Sequence, residues 1–128
     1  DSVFTFSIHG AQNFPAEKAI SDLDVALPTG TGDDDYLRAL TAGLGEALER
    51  CRPQFVFLLS GADPFAGDRL GTLALTKDGL AQRDRLVLDA TRGRGVPAVT
   101  VMGGGYGRVI EDTVDVYEAT VRAAVTQG

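Results

Sequence analysis

Apolar positions along the chain fall first into short continuous runs and then into longer stripes with a helical period. Val3-Phe4-Thr5-Phe6-Ser7-Ile8 is dense in β-branched and aromatic residues and ends at His9-Gly10, which predicts a buried strand. A long loop follows, punctuated by Pro15, Pro28 and Gly30-Thr31-Gly32. From Asp33 the period lengthens, and Leu37, Leu40, Leu44, Leu48 and Cys51 make one stripe of a helix. Its first turn carries Asp33, Asp34 and Asp35, where carboxylates suit the positive end of the helix dipole, and Arg52-Pro53 stops it. Phe55 to Leu59 reads as a second strand. After a loop containing Asp63, Thr76 is placed to cap a helix with Leu80, Val87 and Leu88 on one face, ending near Gly93 and Gly95. Pro97 to Met102 is a third strand, broken by Gly103-Gly104-Gly105, and a last helix sets Val114, Tyr117, Val121 and Val125 in one stripe.

The order β, α, β, α, β, α with continuous apolar strands predicts an α/β fold, a parallel sheet covered by helices on both faces in three layers. Ligands of open α/β sheets bind outside the carboxyl ends of the strands. Those ends are Ser7-Ile8-His9, Ser60-Gly61-Ala62-Asp63 and Gly103 to Tyr106, so the chemistry on offer is a hydroxyl and an imidazole, a carboxylate, and a phenol preceded by glycines.

Composition narrows what that site does. The 128 residues are the size of one domain, and 44% hydrophobic with 23% charged residues is globular. A net charge of -6 argues against a phosphate-backbone binder, and no apolar run is long enough for a membrane span. The single Cys51 makes no intramolecular disulfide, so a cytoplasmic setting is the expectation, and the single His9 excludes any site needing two imidazoles from this chain.

Each candidate also has an ordinary structural reading. Asp63 before Pro64 is a common turn pair, Asp68-Arg69 reads as an ion pair or turn, and His9 reads as a hydrogen-bonded structural histidine. Gly103-Gly104-Gly105 resembles a phosphate cradle, but GGGYG does not fit the dinucleotide pattern and no P-loop motif occurs. Glycines before Tyr106 let backbone approach a ligand closely, which makes Gly104 and Gly105 candidate substrate-binding positions.

The combination is more specific than its parts. LSGADPFAGDRLGTLALTKDGL, followed by VMGGGYG, resembles the second half of the zinc-dependent histone deacetylase family, closest to its bacterial and class IV-like members, which share a fold with the arginases. VFTFSIHGAQNFP and SDLDVALPTGTGDDDYL are similar to preceding segments of the same family, so the resemblance runs from Val3 to about Ala124 in family order. It implies an arginase/deacetylase-like fold, with residues 1–128 as a single α/β segment corresponding to the carboxyl-terminal half of the catalytic domain.

By the same resemblance Asp63 is a zinc ligand and Tyr106 polarises the scissile amide carbonyl and stabilises the oxyanion. Ser7, with the carbonyls of Ile8 and Val3, matches a position that holds a structural alkali cation, potassium or sodium. The substrate class implied is an acyl-lysine or another acylated amine. The family's DxH motif and tandem histidines have no counterpart here, since Asp22-Leu23-Asp24 lies after the first strand and there is only one histidine. The chain, opening at Asp1 and entering a strand by Val3, therefore reads as a cut piece that is inactive alone. Its expected partners are the missing amino-terminal half or a second copy of itself, with no nucleic acid and no membrane. Two other classes stay open: a non-catalytic deacetylase-like interaction domain, and a phosphate or nucleotide binder using Gly103 to Gly105.

Overall fold

A computed structural model describes residues 2–125. The elements in order are β1 (Phe6–Gly10), β2 (Leu23–Leu27), α1 (Asp33–Cys51), β3 (Val56–Gly61), α2 (Lys77–Arg92), β4 (Ala98–Gly103) and α3 (Ile110–Val125). β1 pairs with β2 and β3 with β4, both in parallel, as two separate two-stranded sheets. The fold is α/β, as the periodicity predicts.

Three expectations need correction. The loop after β1 contains a strand, β2, whose Leu23-Asp24-Val25-Ala26-Leu27 alternates as a strand with one covered face should. The strands form two sheets and not one, since among the described residues nothing pairs β1–β2 with β3–β4. Helices do not cover both faces. Val56, Leu58 and Ser60 turn inward, while Phe57 and Leu59 on the other face of β3 are 68% and 73% exposed.

α1 begins and ends where the sequence predicts, with Tyr36, Leu40, Leu44 and Leu48 buried. It lies close on β1 and β2, because a Cβ on Gly43 would stand 2.8 Å from the Phe6 ring and 3.3 Å from a Val25 methyl. α2 is capped by Thr76, whose hydroxyl accepts from the Gly79 N–H at 3.0 Å. Asp33, in the first turn of α1, accepts from the Thr76 N–H and hydroxyl at 2.9 and 2.6 Å, so the two helix starts are joined directly. α2 packs against both α1 and α3.

α3 is rotated from its predicted stripe. Val114, Val121 and Val125 are exposed, and the buried face is Thr113, Val116, Thr120 and Ala123. Its threonines lie inward because their hydroxyls find partners there: Thr120 Oγ1 donates to Asp84 Oδ2 at 2.5 Å, and Thr113 Oγ1 accepts from the Gly107 N–H at 3.3 Å. Among the described residues no helix is long and apolar enough to cross a membrane.

The two glycines of α1 should behave oppositely. Gly43→Val places methyls into the Phe6 ring and should cost about 1–3 kcal/mol. Gly45→Ala, with nothing within 4 Å of its Cβ, should gain about 0.5–1 kcal/mol from helix propensity. Urea titration of the two variants checks both signs.

Candidate functional site

The site is built from two loops that leave the neighbouring strands β3 and β4 at their carboxyl ends. Gly61 of β3 pairs with Gly103 of β4, and Ala62-Asp63 continues from one while Gly104-Gly105-Tyr106 continues from the other. The Asp63 carboxylate lies across this junction. A Cβ on Gly61 would stand 2.5 Å from Asp63 Oδ1, and one on Gly104 would stand 2.7 Å from the same oxygen. Both positions must therefore be glycine while the carboxylate sits there. Gly104 and Gly105 also have φ of 72° and 102°, which L side chains rarely adopt. Gly105 meets Ala62, whose Cβ would be 2.9 Å from its own.

Asp68 fastens the loops together. Its Oδ1 accepts from the N–H groups of Leu70 and Gly71 at 2.8 and 2.7 Å, and its Oδ2 accepts from the Tyr106 N–H at 2.5 Å. The Arg69 N–H donates to the Tyr106 carbonyl at 3.0 Å and the Arg108 N–H to the Gly67 carbonyl at 3.1 Å, which completes a short antiparallel contact. Of the two readings of Asp68-Arg69, the turn is the one observed. The Tyr106 backbone is thus pinned while its ring is 55% exposed at the mouth of the junction.

Tyr117 is the residue that sequence reasoning missed here. Read as part of an apolar stripe, it instead donates its hydroxyl to the carbonyls of Gly103 and Gly104 at 3.1 and 2.6 Å, supporting the glycine run from α3. Its position between the glycines and Thr120 was visible, but nothing in the spacing distinguishes a phenol that packs from one that props a loop.

Burial pushes the Asp63 carboxyl above its ordinary value, with the nearby Asp68 carboxylate adding to the push. Its own backbone N–H and the Arg83 guanidinium pull it partly back. A carboxylate held in this state gains from a cation beside it. Among the described residues no group of three His, Cys, Asp or Glu side chains is gathered where it could hold a metal ion. The glycine run faces this carboxylate, and α3 begins with Glu111 and Asp112, a poor setting for a phosphate.

Ser7 and His9 stand apart from Asp63, in the other sheet. Both are on β1, where the Ser7 hydroxyl and His9 Nδ1 are hydrogen-bonded at 2.9 Å. Val3, ahead of that strand, is exposed. Loops link the strand ends: Asn13 Oδ1 accepts from the Thr72 N–H at 2.9 Å, and the Gly30 N–H donates to the Thr72 carbonyl at 2.8 Å.

Comparison with known proteins adds an independent finding. Residues 1–123 match the histone deacetylase domain family. The chain is 46% identical over 123 residues to an uncharacterized protein of Picosynechococcus sp., covering 96% of this chain and 41% of that protein. It is 36% identical over 118 residues to a histone deacetylase-like amidohydrolase of Pseudomonas aeruginosa, covering 83% of this chain and 31% of that protein. It therefore spans well under half the length of these relatives. Among solved structures, an acetylpolyamine aminohydrolase from Burkholderia pseudomallei superposes with a TM-score of 0.75 at 24% identity, over 92% of this chain and 36% of that one. The fold is shared with that enzyme.

Because Asp63 binds a proton more readily in the folded chain than in the unfolded one, its ionisation costs stability as pH rises through the raised value. In metal-free protein Asp63→Asn should raise the Tm at about pH 7, and the gain should shrink as the pH falls to about 4. Calorimetry across that range checks the sign, and a gain independent of pH would remove the desolvated carboxylate from the account.

Proposed function

The chain belongs to the histone deacetylase domain family, and from that membership we propose that it forms part of a zinc-dependent amide hydrolase acting on an acyl-lysine or another acylated amine. The observation that carries the reading is the partly desolvated Asp63 carboxylate at a strand end, on the same pinned pair of loops as Tyr106. Asp63 supplies one bond to the metal, and bound zinc would supply Lewis-acid polarisation of the amide carbonyl and of water. Tyr106 donates its hydroxyl to the carbonyl oxygen as negative charge develops on it, a contribution worth about 3 kcal/mol of barrier for one well-placed donor. Gly104 and Gly105 let substrate approach the backbone closely beside that ring.

The remaining metal ligands and the groups that move protons belong, in this proposal, to polypeptide outside the 128 residues. His9 is engaged with Ser7 in the other sheet. Ser7, with the carbonyls of Ile8 and Val3, is assigned to a structural potassium or sodium ion. A cytoplasmic setting completes the reading and rests on the free Cys51 thiol.

The same reading names what covers the open sheet face. Parallel sheets are normally buried on both faces, yet Phe57, Leu59, Val99 and Val101 line one side of β3–β4 in the open. We assign their cover to the remainder of a deacetylase domain, which also adds strand between the two small sheets. The isolated chain should then self-associate, and light scattering should show a species larger than a monomer. A stable monomer would favour a self-sufficient interaction domain.

The catalytic part of the proposal is tested in protein expressed from the complete gene, assayed on an acetyl-lysine peptide. Tyr106→Phe should lower turnover by about 10²- to 10³-fold with zinc content unchanged. Asp63→Ala should lose zinc and activity together. Unchanged turnover in the first, or retained zinc in the second, would remove that residue from the mechanism.

A further inference from the structure

One buried cluster behind the site has no part in the chemistry so far. Arg83 and Asp84, successive residues of α2, are 5% and 1% exposed and are paired through Arg83 Nε and Asp84 Oδ1 at 2.8 Å. Ser60, fully buried on β3, donates to Asp84 Oδ1 at 2.7 Å and accepts from Arg83 Nη2 at 2.5 Å. Thr120 of α3 closes the cluster by donating to Asp84 Oδ2. The remaining arm of the guanidinium, Nη1, donates at 2.6 Å to the carbonyl of Gly61, the last residue of β3.

That last bond connects the cluster to the site. Gly61 precedes Asp63 by two residues, and its α-carbon is the surface against which Asp63 Oδ1 lies. Arg83 therefore grips by its carbonyl the same residue that the carboxylate touches. The planar guanidinium reaches Ser60, Gly61 and Asp84 at once from a rigid helix, and Asp84 fixes its orientation. A buried ion pair is weak evidence for stability alone, since well-packed apolar residues often replace one at no cost. Its direction toward the strand end calls for a further role.

We propose that Arg83, oriented by Asp84, is the positioning residue for the Asp63 carboxylate, setting the strand end from which Asp63 reaches a metal ion. The inference rests on the zinc reading of Asp63 and adds to it the group that holds the ligand in place. Removing such an outer partner typically costs ten- to a hundredfold in metal affinity.

The test uses protein expressed from the complete gene, as wild type, Asp63→Ala, Arg83→Lys and the double variant Arg83→Met/Asp84→Leu. The double variant removes both charges together and so leaves neither buried alone. Zinc dissociation constants come from chelator competition, and backbone amide exchange at Ala62 and Asp63 is followed in zinc-free protein. The double variant should fold, bind zinc about ten- to a hundredfold more weakly, and exchange faster at Ala62 and Asp63 than wild type while Leu44 is unchanged. Arg83→Lys, which keeps the charge but loses the fork, should fall between the two.

A folded double variant with wild-type affinity and wild-type exchange overturns the proposal. If the double variant does not fold, Arg83→Lys decides by the same two readouts. If Asp63→Ala leaves zinc affinity unchanged, the zinc reading fails and exchange at Ala62 and Asp63 decides the positioning claim by itself.

Discussion

The joint between the two loops depends on one carboxylate. Asp68 accepts three backbone N–H groups, two from its own loop and one from Tyr106, and is nearly buried while doing so. Hydrogen bonds to a charged acceptor are among the stronger ones, and three on one carboxylate make the loop after β3 and the loop after β4 a single piece. Without that joint Tyr106 would sit on a glycine-rich segment with ample freedom to leave. With it, the glycines serve close approach and cost little order, because Tyr117 holds their carbonyls from α3.

Asp63 illustrates the opposite use of a carboxylate. Asp68 accepts three backbone donors, whereas Asp63 is pressed between two glycines and raised in pKa by its burial. The same residue type is thus stabilised at one position and held at a cost in the other, within the same loop. The cost is tolerable because Gly61 and Gly104 are fixed from outside, by Arg83 and by Tyr117 respectively.

Much of this was legible before the structure. The acidic first turn of α1, its leucine stripe, the Thr76 cap of α2 and the glycine break after β4 all follow from local rules, and each appears within a residue or two of its predicted place. β2 is hidden from local rules because proline and glycine on either side make the stretch read as loop, although its alternation is present. The face of α3 was misread for a different reason: valine counts as apolar and threonine does not. Inside the fold, Thr120 meets a buried Asp84 that no local pattern announces, and the hydrogen bond between them offsets the cost of burying the hydroxyl. Asp63 and Tyr106 are candidates by motif resemblance, while Asp68, Arg83 and Tyr117 hold the loops through contacts between segments far apart in sequence, which spacing does not encode.

The exposed apolar face bears on the same point. Phe57 and Leu59 alternate with residues packed against the helices, so β3 is written for burial on both sides even though the described residues cover only one. The polar end of that strand follows the same logic. Ser60 and Gly61 are fully committed to the inner cluster through Asp84 and Arg83, and the first side chain free to act is Asp63, past the end of the sheet. A strand with two apolar faces, ending in an anchored glycine and then a partly desolvated carboxylate, holds that carboxylate at a fixed strand end.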